Sequence, residues 1–320
     1  MGQSSRGFGR FLPDGSVYPA FTLSRARVTE PMLAVFEQVT WPEATALRAS
    51  TAQPQAPLIR SAHAPVLPGS NRHNSRMTGP LPRITQPSNF RDLAAHVKGV
   101  PVRRGTLYRS DHLGSLDAAD AAQIRALGIT RVLDFRGVDE RTAAACRLPD
   151  VTVHSLAIEP TIVQKLNDLL AAGHALTAGE VAAHMQDTYR GFVLHNTHRF
   201  AEFFGHLLAS DEPTVFHCTA GKDRTGFAAA LLLRALGTGE EEVMHDYLLT
   251  NELLAFPEVS RHGLPREVMA VLWRVQPDFL QAAYEEIDRS YGSLETYLRD
   301  GLQLREAERA HLKRVYIARP

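Results

Sequence analysis

The chain predicts an α/β fold with a central, mainly parallel sheet flanked by helices, and two observations carry that expectation. From about residue 84, short β-prone runs alternate with helix-length segments, which is the pattern of strands joined by helical crossovers. The segment "TGFAAALLLRALG" at 225–237 is apolar almost all round, as a helix buried against a sheet would be.

Along the chain, "VPVRRGTLYRS" (100–110) reads as strand material after a Lys98-Gly99 turn. "LDAADAAQIRALG" reads as a helix opened by Asp117 and stopped by Gly128. "ITRVLDFR" (129–136), "VTVHSLAI" (151–158) and "PTVFH" (213–217) are the buried-strand candidates. Residues 160–194 hold two weakly amphipathic helical stretches, interrupted by Gly173 and Gly179, that look peripheral. Phe200, Phe203, Phe204, Leu207 and Leu208 recur at the spacing of a core-facing helix. After the apolar helix, "TGEEEVMHDYLLTNELL" opens on a Thr238 to Glu241 capping box. The helical C-terminal part (238–316) continues with three or four further helices punctuated by Pro265, Pro277, Ser293 and Gly301.

Residues 1–76 differ in kind. Eight prolines and the polar run "PGSNRHNSR" leave little to bury, so they read as a disordered extension with one short helix near Glu30 to Val39. Met77 stands just ahead of the regular pattern and is a candidate true start, which makes 77–320 the folded domain. With 44% hydrophobic and 22% charged residues and no net charge, the composition is that of a soluble globular protein and gives no footprint for nucleic acid. The longest apolar run, Phe227 to Leu233, falls far short of the ~18 residues that span a bilayer. Without a secretory signal, the expected location is cytoplasmic, the alternative being export by a route without a classical signal peptide. The fourteen histidines are scattered without ligand spacing, so neither a metal nor another cofactor is expected.

The chemistry concentrates in "VFHCTAGKDRTG", residues 215–226. Cys218 leaves a strand and Arg224 enters a helix, with a glycine-containing turn between them. In such a turn successive backbone N–H groups can surround one tetrahedral anion, and the helix dipole adds positive potential there. Arg224 can grip two oxygens of that anion, and the same field favours the thiolate of Cys218, a nucleophile. A buried cysteine is ordinarily a small hydrophobe, the natural reading for Cys146 in "AAACRLP"; His217, Gly221, Arg224 and Thr225 at motif spacing argue otherwise for Cys218.

These residues resemble the C-x5-R-[ST] loop of cysteine-dependent protein tyrosine phosphatases. "HCTAGKDRTG", with Asp before the Arg, is most similar to the bacterial tyrosine/serine protein phosphatase family of the mycobacterial protein tyrosine phosphatase B type, and also to phosphoinositide phosphatases with C-x-x-G-K-x-R loops. The resemblance spans roughly residues 86–316, through "SNFRDLA", "RVLDFRGVDER", "YLLTNE" and "YGSLETYL". It implies a metal-independent phosphatase acting on phosphotyrosine, with phosphoserine, phosphothreonine and phosphoinositides as further substrates. Cys218 would form a cysteinyl phosphate and Arg224 would bind the phosphoryl group, with Thr219, Ala220, Gly221 and Lys222 around it. Lys222 would accept additional phosphates, Thr225 would bond the sulfur, and 160–194 would form a helical lid. The only Trp-Pro pair, Trp41-Pro42, is followed by Glu43 in the extension, so the resemblance gives the proton donor as Asp223. Asp223 also fits a loop residue that bonds neighbouring amides, and Asp134 is the alternative acid or, with Arg136, part of an ion network. The rival reading is a non-catalytic module that recognises a phosphorylated partner through the same loop.

Overall fold

Five short strands share one sheet: β1 (Arg91–Asp92), β2 (Leu107–Ser110), β3 (Arg131–Asp134), β4 (Thr152–Ser155) and β5 (Thr214–His217). The computed structural model describes residues 89–256 and 264–318, and the expected extension, its short helix, Met77 and Trp41-Pro42 lie outside them. The strand order is β1-β2-β5-β3-β4, with β1 antiparallel to β2 and every other pair parallel. The register sets Ser110 beside His217 and His217 beside Asp134. Three neighbouring strands therefore release their chains at one edge, the carboxyl edge where open α/β sheets place their sites.

Alternation across the pleat divides the core. Tyr108, Val132 and Val215 face helix α1 (Ala118–Ala126) and its Ile124. Leu107, Leu133 and Phe216 face the larger cluster on the other side, which holds α4 (Ala178–Ala209), α5 (Asp223–Leu236) and the C-terminal helices. Between α1 and α4 lie α2 (Val138–Ala143) and α3 (Thr161–Ala171); after α5 come α6 (Glu240–Leu253), α7 (Arg266–Trp273) and α8 (Pro277–Tyr291). A turn at Leu294–Thr296 runs into a π-helical turn at Tyr297–Gly301 before α9 (Glu306–Tyr316).

Several boundaries follow their local signals. Asp117 caps α1 by accepting from the Asp120 amide, Pro277 is the first residue of α8, and Ser293 caps the turn after it. Others do not. The stretch 100–110 is extended only over β2, apart from one bridge between Val102 and Ile317. "VTVHSLAI" is not a buried strand: β4 lies at the sheet edge with most of its residues exposed, and only Leu156 and Ile158 beyond it enter the core. The capping box at Thr238 does not form, because Gly239 occupies the cap position and the Thr238 hydroxyl is buried without a partner among the described residues.

The largest departure concerns the stretch expected as a lid. Residues 178–209 are one continuous helix, capped by Thr177 and Glu180, and neither Gly179 nor Gly191 interrupts it. Val181, Met185, Tyr189, Phe192 and Val193 are as buried as Phe200 and Phe203. The second amphipathic segment is thus a wall of the core rather than a peripheral flap. Only α3, with Leu166 as its single buried residue, lies loosely outside.

Candidate active site

β5 ends at His217, and Cys218, 2% exposed, follows at the carboxyl edge. The His217 ring reinforces the exit: its Nδ1 lies 3.0 Å from the Cys218 carbonyl oxygen, which can only accept, so Nδ1 donates. Gly221 makes the turn that follows. Its φ is +65°, and a Cβ there would meet the Ser110 carbonyl oxygen at 2.2 Å, so both conformation and space demand glycine.

The loop is held from its outer side. The Thr219 carbonyl accepts from the His112 amide at 2.9 Å, the Ala220 carbonyl from Asn89 Nδ2 at 2.9 Å, and the Gly221 carbonyl from Asn89 Nδ2 at 3.1 Å and Arg109 Nη2 at 2.8 Å. In a trans peptide the N–H points opposite to the C=O, so the amides of Ala220, Gly221 and Lys222 face the inner side of the turn. Arg109 is fixed in turn by Asp246, at 2.6 Å, which Arg91 also grips at 3.0 Å. Two guanidinium groups therefore share one carboxylate behind the loop. Burial opposes the charge of Asp246, but Arg91 and Arg109 outweigh it and hold that acid at about 2.

Arg224 stands in the first turn of α5, and its orientation comes from a residue that sequence reasoning missed. Glu140, on α2, accepts from Nη1 at 2.6 Å and from Nη2 at 2.9 Å, and Nη1 also donates to the Ile158 carbonyl at 2.9 Å. The donors left over are Nε–H and the outer Nη2–H, which form the side edge of the guanidinium, a fork suited to two oxygens of one anion. The Thr219 hydroxyl also donates to Glu140. Burial disfavours charge on both partners, yet each holds the other ionised: Arg224 is raised and Glu140 lowered from its ordinary value.

The remaining expected residues divide. The Asp223 side chain is 23% exposed, and its Oδ1 accepts from the Tyr189 hydroxyl of α4 at 3.0 Å. Lys222 is turned away from its expected use: its side chain is 6% exposed, and Nζ donates to the Leu272 carbonyl near the end of α7 at 2.6 Å and lies 3.3 Å from Asp223. That ammonium is paired with two protein oxygens, one neutral and one charged. Asp134 is fully buried under the site and is bound on both oxygens by Arg136, at 3.0 and 2.7 Å. Against burial, His217 and Arg136 keep Asp134 below its ordinary value, which leaves it an ionised brace rather than a proton donor. The Thr225 hydroxyl, expected to bond the sulfur, is buried with no partner among the described residues. Among those residues no group of three or more His, Cys, Asp or Glu side chains could hold a metal ion.

A family model described as the tyrosine phosphatase family matches residues 82–318. The chain belongs to this family. It is 34% identical over 241 residues to a Cupriavidus necator protein named as a tyrosine-protein phosphatase, H16_A0669, covering 72% of this chain and 86% of that one. It is also 34% identical over 252 residues to the triple specificity protein phosphatase PtpB of Mycobacterium tuberculosis, covering 66% of this chain and 90% of that one. A solved structure, TpbA of P. aeruginosa, overlaps 57% of this chain at 20% identity with a TM-score of 0.26, too loose a likeness to bear on the site. The phosphatase is accordingly a phosphoric monoester hydrolase of the protein-tyrosine-phosphatase type. Among its described residues no helix is long and apolar enough to cross a membrane.

Proposed function

We propose that the phosphatase hydrolyses phosphotyrosine through a cysteinyl phosphate on Cys218. The observation that carries the reading is the side edge of Arg224 left free by Glu140, just after a turn whose carbonyls at 219–221 are all bonded from the outer side. A phosphate bound there would present its phosphorus to the sulfur of Cys218. The thiolate attacks phosphorus, the ester P–O bond breaks, and Asp223 gives its proton to the departing phenolate. A water then attacks the phosphocysteine, the S–P bond breaks, Asp223 takes the proton from that water, and inorganic phosphate leaves with the thiolate restored. Arg224 and the amides stabilise the charge spread over the equatorial oxygens in both steps.

With Lys222 committed to Leu272, a monoester carrying one phosphate suits the loop better than a multiply phosphorylated inositol lipid. Turnover of p-nitrophenyl phosphate without added metal, wild type against Cys218→Ser, tests the mechanism: the variant should lose essentially all activity, and equal rates would end it. Phosphate release from phosphotyrosine peptide, phosphoserine peptide and phosphoinositide should rank in that order.

A further inference from the structure

We infer that Tyr189 is a positioning residue for Asp223 and that Tyr247 orients Tyr189 in turn, an inference that rests on the reading of Asp223 as the proton donor. The hydroxyls of Tyr189 and Tyr247 lie 2.7 Å apart, and Tyr189 donates to Asp223 Oδ1 at 3.0 Å. A phenol has one proton, so when Tyr189 gives its own to Asp223 the shorter contact runs from Tyr247 to Tyr189. The result is a one-way relay from α6 through α4 to the acid.

The relay is rigid and permanently protonated. Tyr189 is 0% and Tyr247 1% exposed, and burial raises both well above the ordinary phenol value. The Tyr189 ring packs against Phe192, Phe279 and the edge of Tyr247, at centroid distances of 5.1, 5.9 and 6.3 Å. The Tyr247 ring fills the space beside Gly226, where a Cβ would lie 3.1 Å from it, so the glycine of "KDRTG" makes room for the relay.

The charged and titratable groups around Asp223 are Tyr189 from α4, Tyr247 from α6, and Lys222 and Arg224 from its own turn. Tyr189 holds Oδ1 while Lys222 draws Oδ2, which fixes the plane of the carboxyl. Removing the Tyr189 hydroxyl therefore frees Oδ1 and leaves the acid misplaced.

The test is Tyr189→Phe, which keeps the ring, measured as kcat/KM with phenyl phosphate, a basic leaving group, and p-nitrophenyl phosphate, a weakly basic one. The value should fall about tenfold for phenyl phosphate and much less for p-nitrophenyl phosphate. Tyr247→Phe should show the same split between substrates at smaller size, and Tyr189→Phe should add nothing in an Asp223→Asn background. Equal losses on both substrates, or a loss that persists in Asp223→Asn, would reduce the tyrosines to packing and overturn the inference. An Asp223→Asn enzyme that kept the wild-type dependence on the leaving group would instead overturn the reading of Asp223, and the inference with it.

Discussion

Glu140 sets the direction of Arg224, and Asn89 and Arg109 set the direction of the loop's carbonyls. None of the three belongs to the Cys-to-Arg motif. At this scale the motif supplies the candidate groups, and its surroundings set which way they point. Gly221 is where the two meet, because the turn that inverts the peptides also presses against the Ser110 carbonyl. Gly221→Ala should lower kcat/KM at least tenfold and reduce stability by about 1–3 kcal/mol, since a side chain at positive φ without space must displace the loop. Turnover of p-nitrophenyl phosphate and a thermal melt measure both, and a variant with wild-type values would mean that the loop tolerates the shift. The conformation could be anticipated from the glycine; Glu140 could not, because 84 positions separate it from Arg224 and a glutamate in the first turn of a helix usually serves only the helix.

Among the elements, α4 explains both a success and a miss. The phenylalanine spacing at 200–208 marks a core helix, and Phe200, Phe203 and Phe204 are fully buried as expected. The same helix runs back through 178–194, where weak amphipathicity and Gly179 suggested a separate, peripheral piece, while Gly173, the other expected interruption, does lie between α3 and α4. Helix propensity penalises glycine by only ~1 kcal/mol, less than the burial of Val181, Met185 and Tyr189 returns, so packing overrides the break. Continuity is what brings Tyr189 to Asp223. The helix begins at a reciprocal cap, with Thr177 accepting from the Glu180 amide and Glu180 accepting from the Thr177 amide. Thr177→Ala should cost about 1 kcal/mol and speed hydrogen exchange only in the first turn, leaving p-nitrophenyl phosphate turnover unchanged. Tyr189 lies about three turns further on, so lost turnover would instead place the cap in the control of the site.

For the molecule as a whole, the carboxyl edge of the sheet and the charge network behind it form one unit. Asp246, between Arg91 and Arg109, ties β1, β2 and α6 together beneath the loop. Its folded value, about 2, lies below the ~3.9 of an unfolded aspartate, so its contribution is fully present above roughly pH 4 and is lost as pH falls toward 2. The difference amounts to on the order of 2 kcal/mol. Thermal unfolding followed between pH 2 and 5 should show the midpoint dropping with acid in the wild type. Asp246→Asn should be less stable at pH 7 by about 3–5 kcal/mol, because it strands two buried guanidinium groups, and its acid dependence should be shallower. A variant with the wild-type slope would assign the acid sensitivity to Asp134 or Glu140, the other buried acids held below their ordinary values.

The α/β class, the order of most helices, and the contiguous stretch from His217 to Gly226 to which we assign the chemistry were determined by the sequence itself. Each depends on signals a few residues long: alternation, caps, an apolar helix, and one loop whose members are neighbours along the chain. Only the tertiary structure decided that Glu140 faces Arg224, that Tyr189 reaches Asp223, that Lys222 bonds Leu272, that Asp134 is bound by Arg136, and that one face of 178–194 is core. Those outcomes depend on strand order and on which buried charge finds which partner across scores of residues. Buried charges and hydroxyls must be matched wherever packing leaves them, and no local pattern records that matching.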